Sequence, residues 1–251
     1  MCNARSIIGN MKVLVIDIGG THIKVASSDN RVPIKIASGP HMTPARMVEG
    51  VKAVTAKWAY DAVTIGYPGP VAHERPLMDP HNLGPGWVEY PYQKHFPGKP
   101  LKFMNDAAMQ ALGGYKGGRM LFLGTGTGLG SALIVDGLLI SLELAHMPYK
   151  SGKTYEDYLG LRGIEKRGKR AWRKSVRDVI EILQMGMIAE YVLLGGGNAK
   201  LMKKLPKGVI LGQNSNAIEG GIAIWKDGAV SASKNPARTQ FPESVVTAKP
   251  N

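Results

Sequence analysis

Two stretches of the chain repeat one pattern of apolar and polar positions. Lys12 is followed by four apolar residues, Val13-Leu14-Val15-Ile16, then by Asp17 and the turn Gly19-Gly20-Thr21, then by a mostly small or apolar run reaching Asp29. Arg119 is followed by Met120-Leu121-Phe122-Leu123, a turn rich in Gly and Thr, and a run reaching Asp136. The two align without a gap, Gly19 on Gly126 and Asp29 on Asp136. Runs of this length broken by Gly-containing turns predict two β-hairpins, each opening one half of a duplicated α/β structure. Their turns are then expected to face each other as a two-sided cradle across a cleft.

Periodicity fills in the rest. Helical spacing covers residues 45–58, and a short apolar strand at 62–66 ends in the turn Tyr67-Pro68-Gly69-Pro70. A strand at 101–104 precedes a helix over 106–112, with Asn105 or Asp106 near its cap. Strands follow at 192–194, ahead of Gly195-Gly196-Gly197, and at 209–211. A helix at 216–225 carries Gly220 and Gly221, which implies close packing. Between these lies a long helix on which Trp172, Val176, Val179, Ile180, Leu183 and Met187 share one face, while Lys166, Arg170, Arg173 and Arg177 form a separate basic stripe. Strands alternating with helices give an α/β protein of two lobes. The expected division is 12–105 for the N-terminal lobe, joined by the helix near 216–226, and 106–226 for the larger C-terminal lobe. Residues 1–10 read as a loose leader, with Met11 an alternative start, and 227–251 as a poorly ordered tail rich in Ser, Pro, Lys and Thr.

Composition narrows the function classes. Of 251 residues, 44% are apolar and 20% charged, which excludes a disordered chain. No stretch approaches the roughly 18 uncharged apolar residues of a membrane span, so no membrane partner is expected. The single cysteine, Cys2, excludes an intrachain disulfide and any zinc site built on several thiolates. The N-terminus lacks a long apolar core followed by a cleavage site, so a reducing cytoplasm is the expected location. The net charge is +13, which favours polyanions: nucleic acid, anionic membrane, nucleotides or condensed phosphate. Residues 150–177 hold ten basic side chains against three acidic ones. Such a stripe is either a solvated helix face or an anion track.

Four motifs carry candidate chemistry. In Asp17-Ile18-Gly19-Gly20-Thr21 the glycines let backbone N–H groups approach an anion, Thr21 adds a hydroxyl, and Asp17 at a strand end can hold Mg²⁺ through water. Gly124-Thr125-Gly126-Thr127-Gly128-Leu129-Gly130 offers many unobstructed donors, yet fits neither a Walker A loop nor a dinucleotide-binding fingerprint. Asn105-Asp106 puts an acid just after a strand at the lobe junction, suited to a general base for phosphoryl transfer to an alcohol, and equally to a helix cap. Glu143-Leu144-Ala145-His146 can bring a carboxylate and an imidazole onto one polyol, with Glu156 a further candidate.

Together these motifs, with Gly66-Tyr67-Pro68-Gly69-Pro70-Val71 and Leu194-Gly195-Gly196-Gly197, resemble the ROK family of sugar kinases in the actin-like ATPase superfamily, and most of all its polyphosphate glucokinase-like branch. The resemblance spans about residues 12–226. It implies a two-lobed actin-like ATPase (ribonuclease H-like) fold that closes over a hexose in its central cleft. It implies Asp106 as the base on the C6 hydroxyl of glucose or a related hexose, with Asn105, Glu143, His146 and Glu156 on the other hydroxyls. Gly19, Gly20, Thr21, Lys24, Thr125, Gly126, Thr127 and Gly128 would hold phosphates, Asp17 would face Mg²⁺, and Gly195, Gly196 and Gly197 would lie beside a nucleotide. The donor would be inorganic polyphosphate, ATP or both, and the assembly a homodimer.

Two departures from the family pattern stand out. The zinc-binding cysteine cluster that common members carry after the Glu-x-Gly-His turn has no counterpart here, so no zinc is expected. Ala145 stands where glycine is usual, and would cost about 1 kcal/mol or more if the turn needs positive φ. The alternative from another class is a non-catalytic, sugar-sensing or nucleic-acid-binding regulator. Against it, only about ten residues precede the first strand, too few for a helix-turn-helix, and no aromatic-rich basic surface is evident. Nucleic acid is therefore not the expected partner.

Overall fold

The structure, a computed structural model, describes residues 11–226; the expected leader and tail lie outside the described residues. In chain order the elements are β1 (Val13–Ile18), β2 (His22–Ser27), β3 (Ile34–Ala37), α1 (Pro44–Thr55), β4 (Ala62–Tyr67), the short strands β5 (Val71–Ala72) and β6 (Arg75–Pro76), α2 (Tyr92–His95), β7 (Leu101–Asn105), α3 (Asp106–Gly114), β8 (Arg119–Thr125), β9 (Leu129–Val135), β10 (Leu138–Leu142), α4 (Tyr155–Leu159), α5 (Leu161–Gly186), β11 (Tyr191–Gly195), β12 (Val209–Leu211) and α6 (Asn216–Ala223).

The expected duplication is visible in the sheets. One has the order β3-β2-β1-β4-β7 and the other β10-β9-β8-β11-β12. In each, an antiparallel meander of three strands continues into two parallel ones. β1 and β8 are central and covered on both sides, which explains their unbroken apolar runs. Alternate residues face opposite ways. Val13 and Val15 join the inner core with Met120 and Phe122, Leu14 and Ile16 join an outer core with α1, and Leu121 and Leu123 join another with α5.

Helices α3 and α6 fill the space between the sheets. α6 lies against β1, β2 and β4, and α3 against β8, β9, β10 and β11. The two helices meet backbone to backbone. A Cβ on Gly220 would stand 1.8 Å from the Met109 carbonyl oxygen, and one on Gly113 would stand 1.9 Å from that of Asn216. Thr64 donates to the Gly221 carbonyl at 2.7 Å, and the Trp225 indole donates to Thr64 Oγ1 at 2.7 Å, pinning α6 to the first sheet. The division expected between residues 105 and 106 falls at the junction of β7 and α3.

The long helix departs from expectation. Its apolar face is as read, with Trp172, Val176, Val179, Ile180 and Leu183 buried. However, Gly168 has φ 73° and ψ 161°, which breaks α5 into two segments. The break resets the angular phase, so Lys166 does not continue the row of Arg170 and Arg177. Arg173 leaves that row as well, donating to the Leu201 carbonyl at 2.7 Å. Among the described residues no helix is long and apolar enough to cross a membrane.

Candidate active site

The first turn follows from the β1–β2 hairpin. The Gly19 N–H donates to the His22 carbonyl at 3.1 Å, and a Cβ on Gly19 would stand 2.9 Å from that oxygen, so the turn requires glycine here. Gly20 and Thr21 are left exposed at its tip. Asp17 lies opposite Lys24 in the antiparallel register. Its buried carboxylate accepts from the Lys24 ammonium at 2.8 Å. Lys24, expected among the phosphate ligands, is engaged by Asp17, because opposite charges facing across a strand pair attract.

The second turn is held from three sides. The Gly126 N–H donates to the Gly128 carbonyl at 3.1 Å, and Asn198 donates to the carbonyls of Gly126 and Thr125, both at 2.9 Å. The Leu161 N–H, at the start of α5, donates to the Thr127 carbonyl at 3.1 Å. Glu156 accepts from the Leu129 N–H at 3.2 Å and from Arg162 at 3.4 Å, and packs where a Cβ on Gly128 would be. Thr125 corrects the sequence reading. Its side chain is fully buried and donates to the Gly195 carbonyl at 3.2 Å, so it offers no hydroxyl to the cleft. Gly196, at φ 82°, passes so close over Thr125 that a Cβ would stand 2.3 Å from the Thr125 oxygen. Gly195, Gly196 and Gly197 therefore form a shelf against this turn, Gly196 and Gly197 being exposed.

The two turns do face one cavity. Gly20 and Thr21 from the first and Thr127 from the second line a space of about 290 Å³, together with Pro40, His81 and Asn82. The last three were missed by sequence reasoning. They sit on loops without periodicity, and the only available signal was the turn-forming run Asp79-Pro80-His81-Asn82. Asn198 was missed for the same reason.

Asp106 opens α3, directly after β7. Its carboxyl is pushed up to about 7. Loss of solvent is the largest cause, and the nearby negative charge of Asp17 is the next; Glu143 adds to it, while the Ala107 N–H, donating at 2.7 Å, and Lys24 oppose. Asp17, Lys24, Glu143 and Asp106 thus share one electrostatic neighbourhood. Removing the cation tests this: in Lys24→Met the acid limb of any Asp106-dependent rate is expected to move to higher pH, read from a pH profile. An unmoved limb would place Lys24 outside the coupling.

Asn105 is the helix cap that its sequence context allowed. Its Oδ1 accepts from the Ala108 N–H at 3.1 Å, and its Nδ2 donates to the Gly69 carbonyl at 3.0 Å, tying α3 to the turn after β4. Asn105→Ala is expected to lower stability by about 0.5–2 kcal/mol, the range for a lost N-cap, measured by urea unfolding.

Glu143 precedes a single turn of 3₁₀ helix, Leu144–His146. Ser131 Oγ fixes that turn, accepting from the Leu144 N–H at 3.1 Å and donating to the Leu142 carbonyl at 2.9 Å. Desolvation raises the Glu143 carboxyl, His146 opposes the rise and Glu156 adds to it. His146 and Glu156 both lie within electrostatic reach of Glu143. Ala145 is buried in the core beside α5 and is not among the residues with positive φ, so alanine sits in this turn without strain.

The geometry can be set beside known proteins. No family model matches the sequence. The N-acetylmannosamine kinase of Salmonella typhimurium is 30% identical over 146 residues, and that of Salmonella typhi matches equally; the chain spans about half the length of these relatives, 50%. Among solved structures, the inorganic polyphosphate/ATP-glucomannokinase of Arthrobacter sp. strain KM superposes with a TM-score of 0.71 at 23% identity, covering 86% of this chain and 98% of that one. The ROK family glucokinase of Streptomyces griseus, in complex with glucose and AMPPNP, superposes with a TM-score of 0.66 at 18% identity, covering 84% and 98%. The chain has the ROK sugar-kinase fold. The β1–β2 and β8–β9 turns, from separate parts of the sequence, line one cavity; the carboxyl at the start of α3 feels the charges of Asp17 and Glu143, and Glu143 in turn those of His146 and Glu156.

Proposed function

We propose that this chain is a ROK-type hexose kinase that transfers a phosphoryl group to the C6 hydroxyl of glucose or a close hexose, with Asp106 as general base. One observation carries the reading: the Asp106 carboxyl, with its pKa raised to about 7, feels the charge of Asp17 at the end of β1, the strand whose following turn lines one cavity with the second Gly/Thr turn. A base poised near neutral pH is half ionised where it works, which favours removal of the hydroxyl proton as the new bond forms. Glu143, His146 and Glu156 suit the other sugar hydroxyls, because carboxylates accept and imidazole donates. Asn105 retains one amide hydrogen and a second lone pair for the same task. Gly20, Thr21 and Thr127 supply backbone and hydroxyl donors to the transferring phosphoryl group.

The Asp17 environment suits Mg²⁺. Two neighbouring carboxylates, Asp17 and Asp106, face the single Lys24 ammonium, and Mg²⁺ is usually held by one or two carboxylates together with substrate phosphates and water. Asp17 would hold it, and the ion would neutralise charge on the phosphates. The donor is inorganic polyphosphate, ATP or both, supported by the fold shared with the Arthrobacter enzyme. The decisive measurement crosses a sugar panel (glucose, mannose, N-acetylmannosamine) with ATP and polyphosphate. Hexose phosphate is expected from at least one pair; no transfer from either donor to any sugar would overturn the reading.

A further inference from the structure

A second cavity, of about 530 Å³, lies on the outer face of α5, lined by Arg167, Arg170, Ala171, Lys174 and Arg177. Four of these side chains are cationic and none is acidic. Arg167 is held in place: its guanidinium lies 3.7 Å from the Tyr158 ring centroid and donates to Ser175 Oγ at 3.2 Å and to the Tyr158 carbonyl at 3.0 Å. On a straight helix Arg167 and Ser175 would be separated by about 12 Å of rise, and the break at Gly168 folds the two segments into this groove. Asp178, next to Arg177 in the chain, is drawn away to Lys150 at 2.8 Å, and Glu181 stands one turn beyond Arg177, past the groove's lining. The groove and the cleft are linked through α5. α5 begins at Leu161, bonded to the Thr127 carbonyl, and the groove begins six residues further along.

We infer that this groove is a distal subsite for a long inorganic polyphosphate chain whose near end reaches Thr127. The inference rests on the kinase reading above and selects among its donors. Repeating anions along a row of cations release counterions at each contact, which gives length-dependent and salt-dependent binding. A nucleotide triphosphate ends near the Gly/Thr turns and gains nothing from cations further out. A single-stranded nucleic acid needs aromatic faces for stacking, and the face of Tyr158 is already covered by Arg167. A membrane surface needs apolar insertion, and Ala171 is the only apolar residue lining the groove.

The test is the variant Arg170→Ala/Lys174→Ala/Arg177→Ala, compared with the unaltered protein using long-chain polyphosphate, tripolyphosphate and ATP. KM for the long chain is expected to rise about tenfold or more, and the slope of log KM against log salt to become shallower by about two to three. Rates with tripolyphosphate and ATP stay within about twofold, and the melting temperature is unchanged. Arg170→Lys/Arg177→Lys, which keeps the charge, should retain most of the long-chain affinity. Equal loss for long and short donors, or no loss at all, would overturn the inference. Direct binding of fluorescent long-chain polyphosphate separates the two readings. Binding lost in the triple-alanine variant, in a protein that phosphorylates sugar from ATP alone, leaves the kinase reading standing and overturns the groove as part of a donor site. Tighter, groove-dependent binding of duplex DNA or of phosphatidylserine vesicles than of polyphosphate overturns the assignment.

Discussion

Asp106→Asn is expected to lower kcat/KM for hexose phosphorylation by about 10²–10⁴, the usual loss when a positioned base is removed. In the unaltered protein kcat/KM, which reports the free enzyme before Mg²⁺ and donor bind, should climb with pH through about 7, because the carboxyl must lose its proton before it can accept one. The variant should lack that climb. Stability should move the other way. The folded chain binds this proton more tightly than the unfolded chain, whose value is near 3.8, so this group's contribution falls as pH rises from about 4 to about 7. Asparagine carries no charge to desolvate, so above pH 7 the variant should melt at the same temperature as the parent or higher. A coupled assay for the sugar phosphate and a melting curve at pH 8 suffice. Near-normal turnover in Asp106→Asn would remove this residue from the reaction.

Gly220→Ala is expected to damage the fold more than any other single methyl addition to α6. The new Cβ would stand 1.8 Å from the Met109 carbonyl oxygen and 2.9 Å from the Gly113 nitrogen. Both are backbone atoms of α3 and cannot swing aside. Overpacking costs about 1–3 kcal/mol when side chains can yield, so about 3 kcal/mol is the expected minimum here. For a chain of this size that corresponds to a melting temperature lower by roughly 6–12 °C. Gly186→Ala is the control. It lies at the end of α5 with no heavy atom within 4 Å of the added Cβ, and should be neutral or slightly stabilising. Equal melting temperatures for the two variants would show that α3 and α6 are not in backbone contact.

Much of this arrangement was legible in the residues. The gapless echo between the two hairpins anticipated two sheets of one strand order, and Gly220 and Gly221 anticipated a close helix contact, because both are local patterns with one dominant physical cause. The place of Asp106 was also legible, as the acid that opens α3 directly after a buried strand. Thr125 was misread through the length of a strand. It shares the parity of Leu121 and Leu123, which face the outer core, so carrying the alternation two residues further would have turned it inward. The basic stripe was misread because helical phase was projected through Gly168, whose positive φ interrupts it. His81 and Asn82 were out of reach: they lie on an aperiodic loop, and only the fold brings them to Thr21 and Thr127.

The position of α6 bears on biosynthesis. Val13, Val15 and Ala26 of the first sheet share a core with Ala217, Ile218 and Ile222, almost at the other end of the described chain. During translation that sheet emerges first, yet its inner face is covered only in part, by α3, until α6 leaves the ribosome. The nascent N-terminal half therefore carries a sticky apolar surface through most of elongation. A transcript stopped before codon 216 should yield a product that depends on chaperones or aggregates.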